Sequence, residues 1–421
     1  MGIIKTIKKI RRRIRFRTRL AKIRSFFRKK EKQAEYYSFN EVVVIILFSF
    51  GIGVFACFSA VKIFSKGSFS LDKNLSKFYD AFITLKENYY EEITDEKLID
   101  SAIKGMLSST GDTYTNYNDL EETEEFLENV QGTYEGIGAT IGMKEDKTIY
   151  VAELFKDGPS DKAGLKKDDI IISVDNKKFE DVEKLAEYVK KEAGKKVKVK
   201  ILRDNKEKTI TITRGTVELQ SVESSIKEVN NKKIGYIDIS VFSSVTDKQF
   251  SNHLKELEKE KIEGLVIDVR SNGGGYLSVV TDIVKTLLPK GKTIYKLEMD
   301  GKVNSVKDNT KEKRTYPIAV LINGGSASAS EILAAAIKES YNGYLVGTKT
   351  YGKGTVQQTS TLSDGSMIKY TIEKWLTPNN NYITDVGIEP TNEVKMNEDY
   401  YTDYSADKDN QLQEALKLVS E

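Results

Sequence analysis

Residues 317–339 read PIAVLINGGSASASEILAAAIKE. An apolar run behind Pro317, a break at Gly324 and Gly325, a string of alternating serines and alanines, and then an apolar helical pattern spell strand, loop and helix. Two similar apolar runs lie upstream, KIGYIDIS at 233–240 and GLVIDVR at 264–270, and both read as buried strands. Helices are expected at 246–259, 276–288 and 329–339, with a long β-rich stretch from Thr355 to Tyr370 and on to Val394. Alternating strands and helices predict an α/β domain with a mixed sheet over 216–395. The acidic residues 396–421 read as a partly helical tail.

Upstream, residues 132–215 change character. TIYVAEL, DIIISV, KVKVKIL and KTITIT are short β-type runs around one helix, whose apolar Val182, Leu185, Ala186 and Val189 fall at i, i+3, i+4 and i+7. This predicts a small β-rich module. Residues 72–131 read as helices, with Phe78, Phe82, Leu85 and Tyr89 on one stripe and DEKLIDSAIKGML ending before SSTGD. They predict a helical cap or spacer, with no chemistry visible in it.

Residues 42–61, VVVIILFSFGIGVFACFSAV, carry no charge and are long enough to cross a bilayer as a helix. The run is long and late for a cleaved signal peptide, so an uncleaved anchor is expected. Residues 1–41 form a basic cytoplasmic tail: the first forty residues hold fifteen Lys and Arg against Glu31 and Glu35, so the overall charge of +3 belongs to this segment. Positive charge before the span puts the N-terminus in the cytoplasm and everything after Lys62 outside, an expected single-pass cell-membrane protein. Ile3, Ile7, Ile10 and Ile14 recur among the basic residues at helical spacing, which suits a helix on anionic lipid better than a nucleic-acid arm.

Scarcity also limits the chemistry. The single cysteine, Cys57, excludes an intramolecular disulfide and a thiolate-rich metal site, and it lies within the apolar run. The single histidine, His253, excludes multi-histidine metal sites and leaves one candidate for a Ser-His-Asp triad. It sits in QFSNHLKELEKE, which reads as an exposed charged helix.

Three loops can carry chemistry. Ser271-Asn272-Gly273-Gly274-Gly275 follows a strand, and its glycines either free backbone N–H groups for a ligand oxygen or only permit a sharp turn. Ser328 and Glu331 form a Ser-x-x-Glu capping box, yet the same helix start offers free N–H groups and the positive end of a dipole to an oxyanion. Lys353, between Gly352 and Gly354, can serve as a base for a serine if it is held neutral, and Gln357 is placed to hold its amine. Gly347 to Lys353 also matches a phosphate-binding loop except at its last position, Gly354, and the sequence after it alternates like a strand. In the β-rich module, Gly136-Ile137-Gly138-Ala139 is either a tight turn or a backbone cradle for a carboxylate.

INGGSASASEILAAAIK followed by GTKTYGKGTVQQ resembles the signature of the carboxyl-terminal processing, or tail-specific, proteases. The resemblance continues through SAIKGMLSSTGDTYTNY, YEGIGATIG, KAGLKKDDIIISVDN, GLVIDVRSNGGG and WLTPNNNYITDVGIEP. It implies a Ser/Lys-dyad endopeptidase with a PDZ domain at 132–215. Ser328 is then the nucleophile, Lys353 its base and Gln357 the residue orienting the lysine. The oxyanion hole falls to the N–H of Ala329 with that of Gly273 or Gly274. The loop Gly136, Ile137, Gly138 and Ala139 would receive substrate C-termini. No metal or organic cofactor is implied. Expected partners are protein or peptide substrates with free C-termini and membrane lipid, with no nucleic acid; homo-oligomerisation is left open.

Overall fold

The computed structural model describes residues 73–421 apart from 191–192, 312–313 and 402–404. The expected tail at 1–41 and membrane span at 42–61 lie outside the described residues, and among those described no helix is long and apolar enough to cross a membrane. The chain divides into two compact units, Met1–Asp95 and Glu96–Glu421. Helix α1 (Lys73–Asn88) and residues 89–95 are the described part of the first; none of the helix's residues is buried, and Lys86 pairs with Asp95 at 2.6 Å.

Helix α2 (Asp95–Ser108) begins at the boundary, and β1 (Asn116–Asn118) and α3 (Leu120–Gln131) come next. Asp119 caps α3 by accepting the Glu122 N–H at 3.0 Å, while Glu122 returns the bond to the Asp119 N–H.

The β-rich module comprises β2 (Thr133–Gly136), β3 (Ala139–Met143), β4 (Ile149–Leu154), α4 (Pro159–Ala163), β5 (Ile170–Val174), α5 (Val182–Val189), β6 (Lys196–Arg203), β7 (Lys206–Thr213) and β8 (Gly215–Glu218). Strands β3 to β7 pair antiparallel in sequence order, and β2 pairs with β8. Alternation along β6 turns Val197, Val199 and Ile201 inward onto Leu185 and Val189 of α5.

The larger domain contains β9 (Val222–Val229), β10 (Lys232–Ile239), α6 (Thr246–Lys259), β11 (Gly264–Asp268), α7 (Leu277–Leu287), β12 (Thr293–Met299), β13 (Lys302–Lys307), β14 (Ile318–Ile322), α8 (Ala329–Ala336), β15 (Tyr344–Gly347), β16 (Thr355–Thr361), β17 (Met367–Leu376), β18 (Asn392–Glu393) and α9 (Asn410–Ser420). Six strands form a sheet in the order β18-β15-β14-β11-β10-β9, parallel except for the β9–β10 hairpin. Asn230 and Asn231 turn that hairpin with φ of 53° and 60°, the positive-φ pair that a two-residue turn needs. An antiparallel sheet carries β1, β17, β12 and β13, with β16 also paired to β17.

Both faces of the six-stranded sheet are covered, which explains the unbroken apolar runs. Leu265, Ile267, Ile318, Val320 and Ile322 face α6, α7 and α8, whereas Val266, Ala319 and Leu321 face α9. The C-terminal segment is therefore part of the core rather than a tail. Leu412, Ala415, Leu416 and Val419 are buried against the sheet, and Arg270, ion-paired to Asp268, reaches Asp409 at 2.7 Å and Gln411 at 3.0 Å to hold the start of α9. Charged residues around it disguise an amphipathic helix.

Candidate active site

The parallel strands deliver their loops to one end of the sheet, where such folds form their sites. From β11 comes Ser271 to Gly275, from β14 comes Gly324 to Ser328, and from β15 comes Thr348 to Gly354. A cavity of about 620 Å³ is lined by Gly273, Gly274, Ser328, Ala329, Lys353 and Gln357. All the residues expected from the catalytic motifs thus reach one cavity.

Asn272 builds the first wall. Its side chain is buried, donating to the Ile239 carbonyl at 2.7 Å and accepting the Gly274 N–H at 2.8 Å. Gly274 has φ of 107°, and a Cβ there would lie 2.9 Å from the Ser328 Cβ and 3.1 Å from the Ala329 nitrogen. Only glycine lets the two loops approach so closely.

The three serines of the 326–330 run are not equivalent. Ser326 Oγ donates to the Val269 carbonyl at 2.7 Å and Ser330 Oγ to the Asn272 carbonyl at 2.8 Å, both fully buried. Ser328 is half-buried on the cavity wall, with φ of 54° and ψ of −112°, a conformation in which a side chain is strained.

Glu331 does more than cap a helix. It is fully buried, and its Oε2 accepts the N–H of Ser328 at 2.8 Å and that of Lys353 at 2.9 Å. Its Oε1 accepts the Thr350 hydroxyl at 2.6 Å and the Gly352 N–H at 2.7 Å. One carboxylate therefore binds the serine loop to the lysine loop. The Ser-x-x-Glu spacing signalled the first contact alone.

Lys353 is half-buried, its carbonyl accepts the Trp375 indole N–H at 2.9 Å, and its amine lies 5.0 Å from the centre of the Tyr114 ring. Burial pushes its pKa below the usual lysine range and the Lys369 ammonium pushes it further, while Glu331 and Asp112 oppose them. Burial, and after it the Tyr351 hydroxyl, push the Tyr114 hydroxyl up to about 12.

Gln357 reaches the cavity but does not hydrogen-bond to the lysine amine. Its Nε2 donates instead to Thr355 Oγ1 at 2.6 Å and to Thr371 Oγ1 at 3.3 Å. Thr371 in turn donates to Asp112 Oδ2 at 2.5 Å. The segment read as a chemically silent cap thus contributes Asp112 and Tyr114, and Phe126 and Leu127 of α3 line the cavity. Contacts between residues some 256–259 positions apart leave no trace in local sequence.

His253 is not among the residues lining this cavity. It is part-buried on α6, with Nδ1 2.7 Å from the Ser224 hydroxyl. Likewise Gly347 to Lys353 leads into strand β16 and not into the helix a phosphate-binding loop requires.

A second groove, of about 380 Å³, runs between β3 and α5 of the β-rich module and is lined by Ile137, Ala139, Ile141, Val182 and Ala186. Gly136 ends β2 opposite Gly215, and Gly138, at φ of 70°, packs on Pro159, where a Cβ would stand 2.9 Å from Cδ. Both glycines shape the loop from behind, while Ile137 and Ala139 face the groove.

Comparison with known proteins agrees with this architecture. Residues 233–394 match the model of peptidase family S41, residues 136–213 that of the PDZ domain, and residues 59–123 that of the activating protease CtpB N-terminal domain. The chain is 40% identical over 365 residues to carboxy-terminal processing protease CtpB of Bacillus subtilis, covering 86% of this chain and 75% of that protein. It is 36% identical over 345 residues to carboxy-terminal processing protease CtpA of the same organism, covering 79% and 73%. A probable CtpA-like serine protease of Staphylococcus epidermidis is 35% identical over 322 residues, covering 75% and 65%. The chain belongs to peptidase family S41, as a carboxy-terminal processing serine protease that carries a PDZ domain.

Proposed function

We propose that this protease cuts extracytoplasmic proteins near their C-termini through an acyl-enzyme on Ser328, with Lys353 as general base. The reading rests on one observation above all: a strained serine at a helix N-terminus and a half-buried lysine of depressed pKa line one cavity. As substrate binds, the lysine amine and serine hydroxyl come into contact. Lys353 takes the Ser328 proton while Oγ attacks the carbonyl carbon, then returns it to the nitrogen of the breaking C–N bond. A water deprotonated by Lys353 next attacks the ester carbonyl, and as the C–Oγ bond breaks Lys353 gives that proton to the departing Ser328 oxygen, restoring both groups.

The tetrahedral oxyanion is met by backbone N–H groups at the start of α8. Ala329 is the first residue of that helix, and first-turn N–H groups have no intrahelical acceptor. Gly273 is its partner, because the Gly274 N–H is already given to Asn272. Gln357 orients the lysine. The groove between β3 and α5 receives an apolar substrate C-terminus by strand addition, with the loop Gly136 to Ala139 at its carboxylate. Residues 42–61 anchor the chain in the cell membrane with the catalytic domain outside and the basic tail 1–41 on cytoplasmic lipid.

Full-length protein in detergent, given a folded substrate bearing an apolar tail, tests the chemistry. Ser328→Ala and Lys353→Ala are expected to abolish cleavage with the fold retained; an active Lys353→Ala variant would refute the dyad. Resistance of the protein to alkaline extraction from vesicles checks the anchor, and release into the soluble fraction would overturn it. Amidated and free-acid peptides separate the groove's role. Losing a charge-assisted hydrogen bond of roughly 1.5 to 3 kcal/mol lowers kcat/KM about ten- to a hundredfold, whereas equal kinetics exclude carboxylate recognition.

A further inference from the structure

Asp112 stands in the loop before β1, and its carboxylate is an acceptor with no proton to give. Oδ2 takes hydrogen bonds from the Thr371 hydroxyl at 2.5 Å and the Thr115 hydroxyl at 2.7 Å, and Oδ1 takes the Tyr114 N–H at 3.0 Å. The Thr371 N–H meets the Thr115 hydroxyl at 3.3 Å, so this loop and β17 are tied by backbone and side chain together.

A hydroxyl has one proton. With that of Thr371 spent on Asp112, its oxygen can only accept from Gln357, and the group it meets at 3.3 Å must be the amide NH2. The second N–H of that NH2 goes to Thr355 Oγ1 at 2.6 Å. Both donors of Gln357 are then occupied, and Oε1 is the end left over. A neutral lysine amine needs this arrangement. Its lone pair must face the serine proton, so its own N–H groups need an acceptor on another side. An inverted amide would offer them only donors.

We infer that Asp112, acting through Thr371, is a positioning residue that fixes the Gln357 amide with Oε1 available to the Lys353 amine. This rests on the Ser328/Lys353 reading. Lys353 meets the charges of Lys369 from β17, Glu331 from α8 and Asp112 from the loop before β1, and the Tyr114 ring from that same loop, while Tyr351 and Asp385 act on Tyr114.

The test is a double-mutant cycle in the full-length protease, with kcat and KM measured across pH. Thr371→Val and Thr371→Ala are each expected to lower kcat about tenfold with KM within about twofold, and Thr371→Ser to restore it. In a Gln357→Ala background the same Thr371 changes should cost almost nothing further. Asp112→Asn should lower kcat similarly and also move the acidic limb to lower pH, since a negative charge favouring the Lys353 ammonium is gone. The Thr371→Val change leaves that limb where it is. Equal losses in the presence and absence of Gln357, or no rescue by serine, would overturn the inference. An active Lys353→Ala variant would instead overturn the dyad itself, so the two failures are told apart.

Discussion

Glu331 accepts a hydrogen bond from the N–H of Lys353 at 2.9 Å, and the same carboxylate oxygen accepts that of Ser328 at 2.8 Å. Glu331→Gln leaves one acceptor oxygen and turns an NH2 towards two donors, either the Ser328 and Lys353 N–H groups or the Thr350 hydroxyl and the Gly352 N–H. Hydrogen bonds to charged groups contribute roughly 1.5 to 3 kcal/mol each, so the loss of two should cost about 3 kcal/mol or more of stability. Activity should fall with it because both loops are released. Thermal unfolding beside kcat checks this, and a variant with wild-type values for both would show that the carboxylate is dispensable.

The neighbours of Ser328 predict a split between stability and catalysis. Ser326→Ala and Ser330→Ala each remove a buried hydroxyl-to-carbonyl bond and should cost about 1 to 2 kcal/mol while leaving substantial cleavage. Ser328→Gly should be inactive yet about 1 kcal/mol more stable than Ser328→Ala, because glycine relieves the strain at φ of 54°. Denaturant melts of the four variants decide it; Ser328→Ala matching Ser328→Gly would mean that little strain is stored.

As the proposed general base Lys353 must be neutral, so on that reading cleavage should rise with pH through its pKa, and burial places that rise below the ordinary lysine range. Lys369 assists by opposing a second positive charge. Lys369→Gln should therefore move the rise to higher pH with a similar plateau, while Lys369→Arg keeps it in place. Single-turnover rates from pH 6 to 10 measure this. A Lys369→Gln profile superimposed on the wild type would remove Lys369 from the account.

On the α9 side of the sheet, burial, Asp268 and Glu223 push the pKa of Asp238 up to about 6. The folded state then holds the proton more tightly than the unfolded chain, so between about 4 and 6 stability falls as pH rises, and above 6 the charged group is a net cost. Asp238→Asn should stabilise the protein at pH 7 by about 1 kcal/mol, after allowance for the solvent this half-buried group still meets. The gain should disappear at pH 4. Calorimetry at both values checks the sign.

Elements with a regular period were legible in the sequence. The buried runs at 264–268 and 318–322, the helices after them and the apolar stripe of α5 all appear where their patterns place them. The last helix was misread because acidic neighbours mask Leu412, Ala415, Leu416 and Val419, although their i, i+3, i+4, i+7 spacing was present. The motifs brought Ser328, Lys353 and Gln357 to one cavity, but not the groups that hold them. Glu331 looked like a cap because only its nearest donor is local. Asp112 and Thr371 meet across the whole domain, and no periodicity reports such a contact.

Helix α9 also sets an order of assembly. Asn230 bonds to Ser420 across 190 residues, so the sheet carrying the serine and lysine loops stays uncovered on one face until residues 410–420 have been synthesised. The β-rich module, whose contacts close between residues 133 and 218, has no such delay. During synthesis the chain should thus hold a completed β-rich module well before a completed larger domain, with Ile234, Val266 and Leu321 briefly exposed and dependent on whatever shields nascent apolar surface.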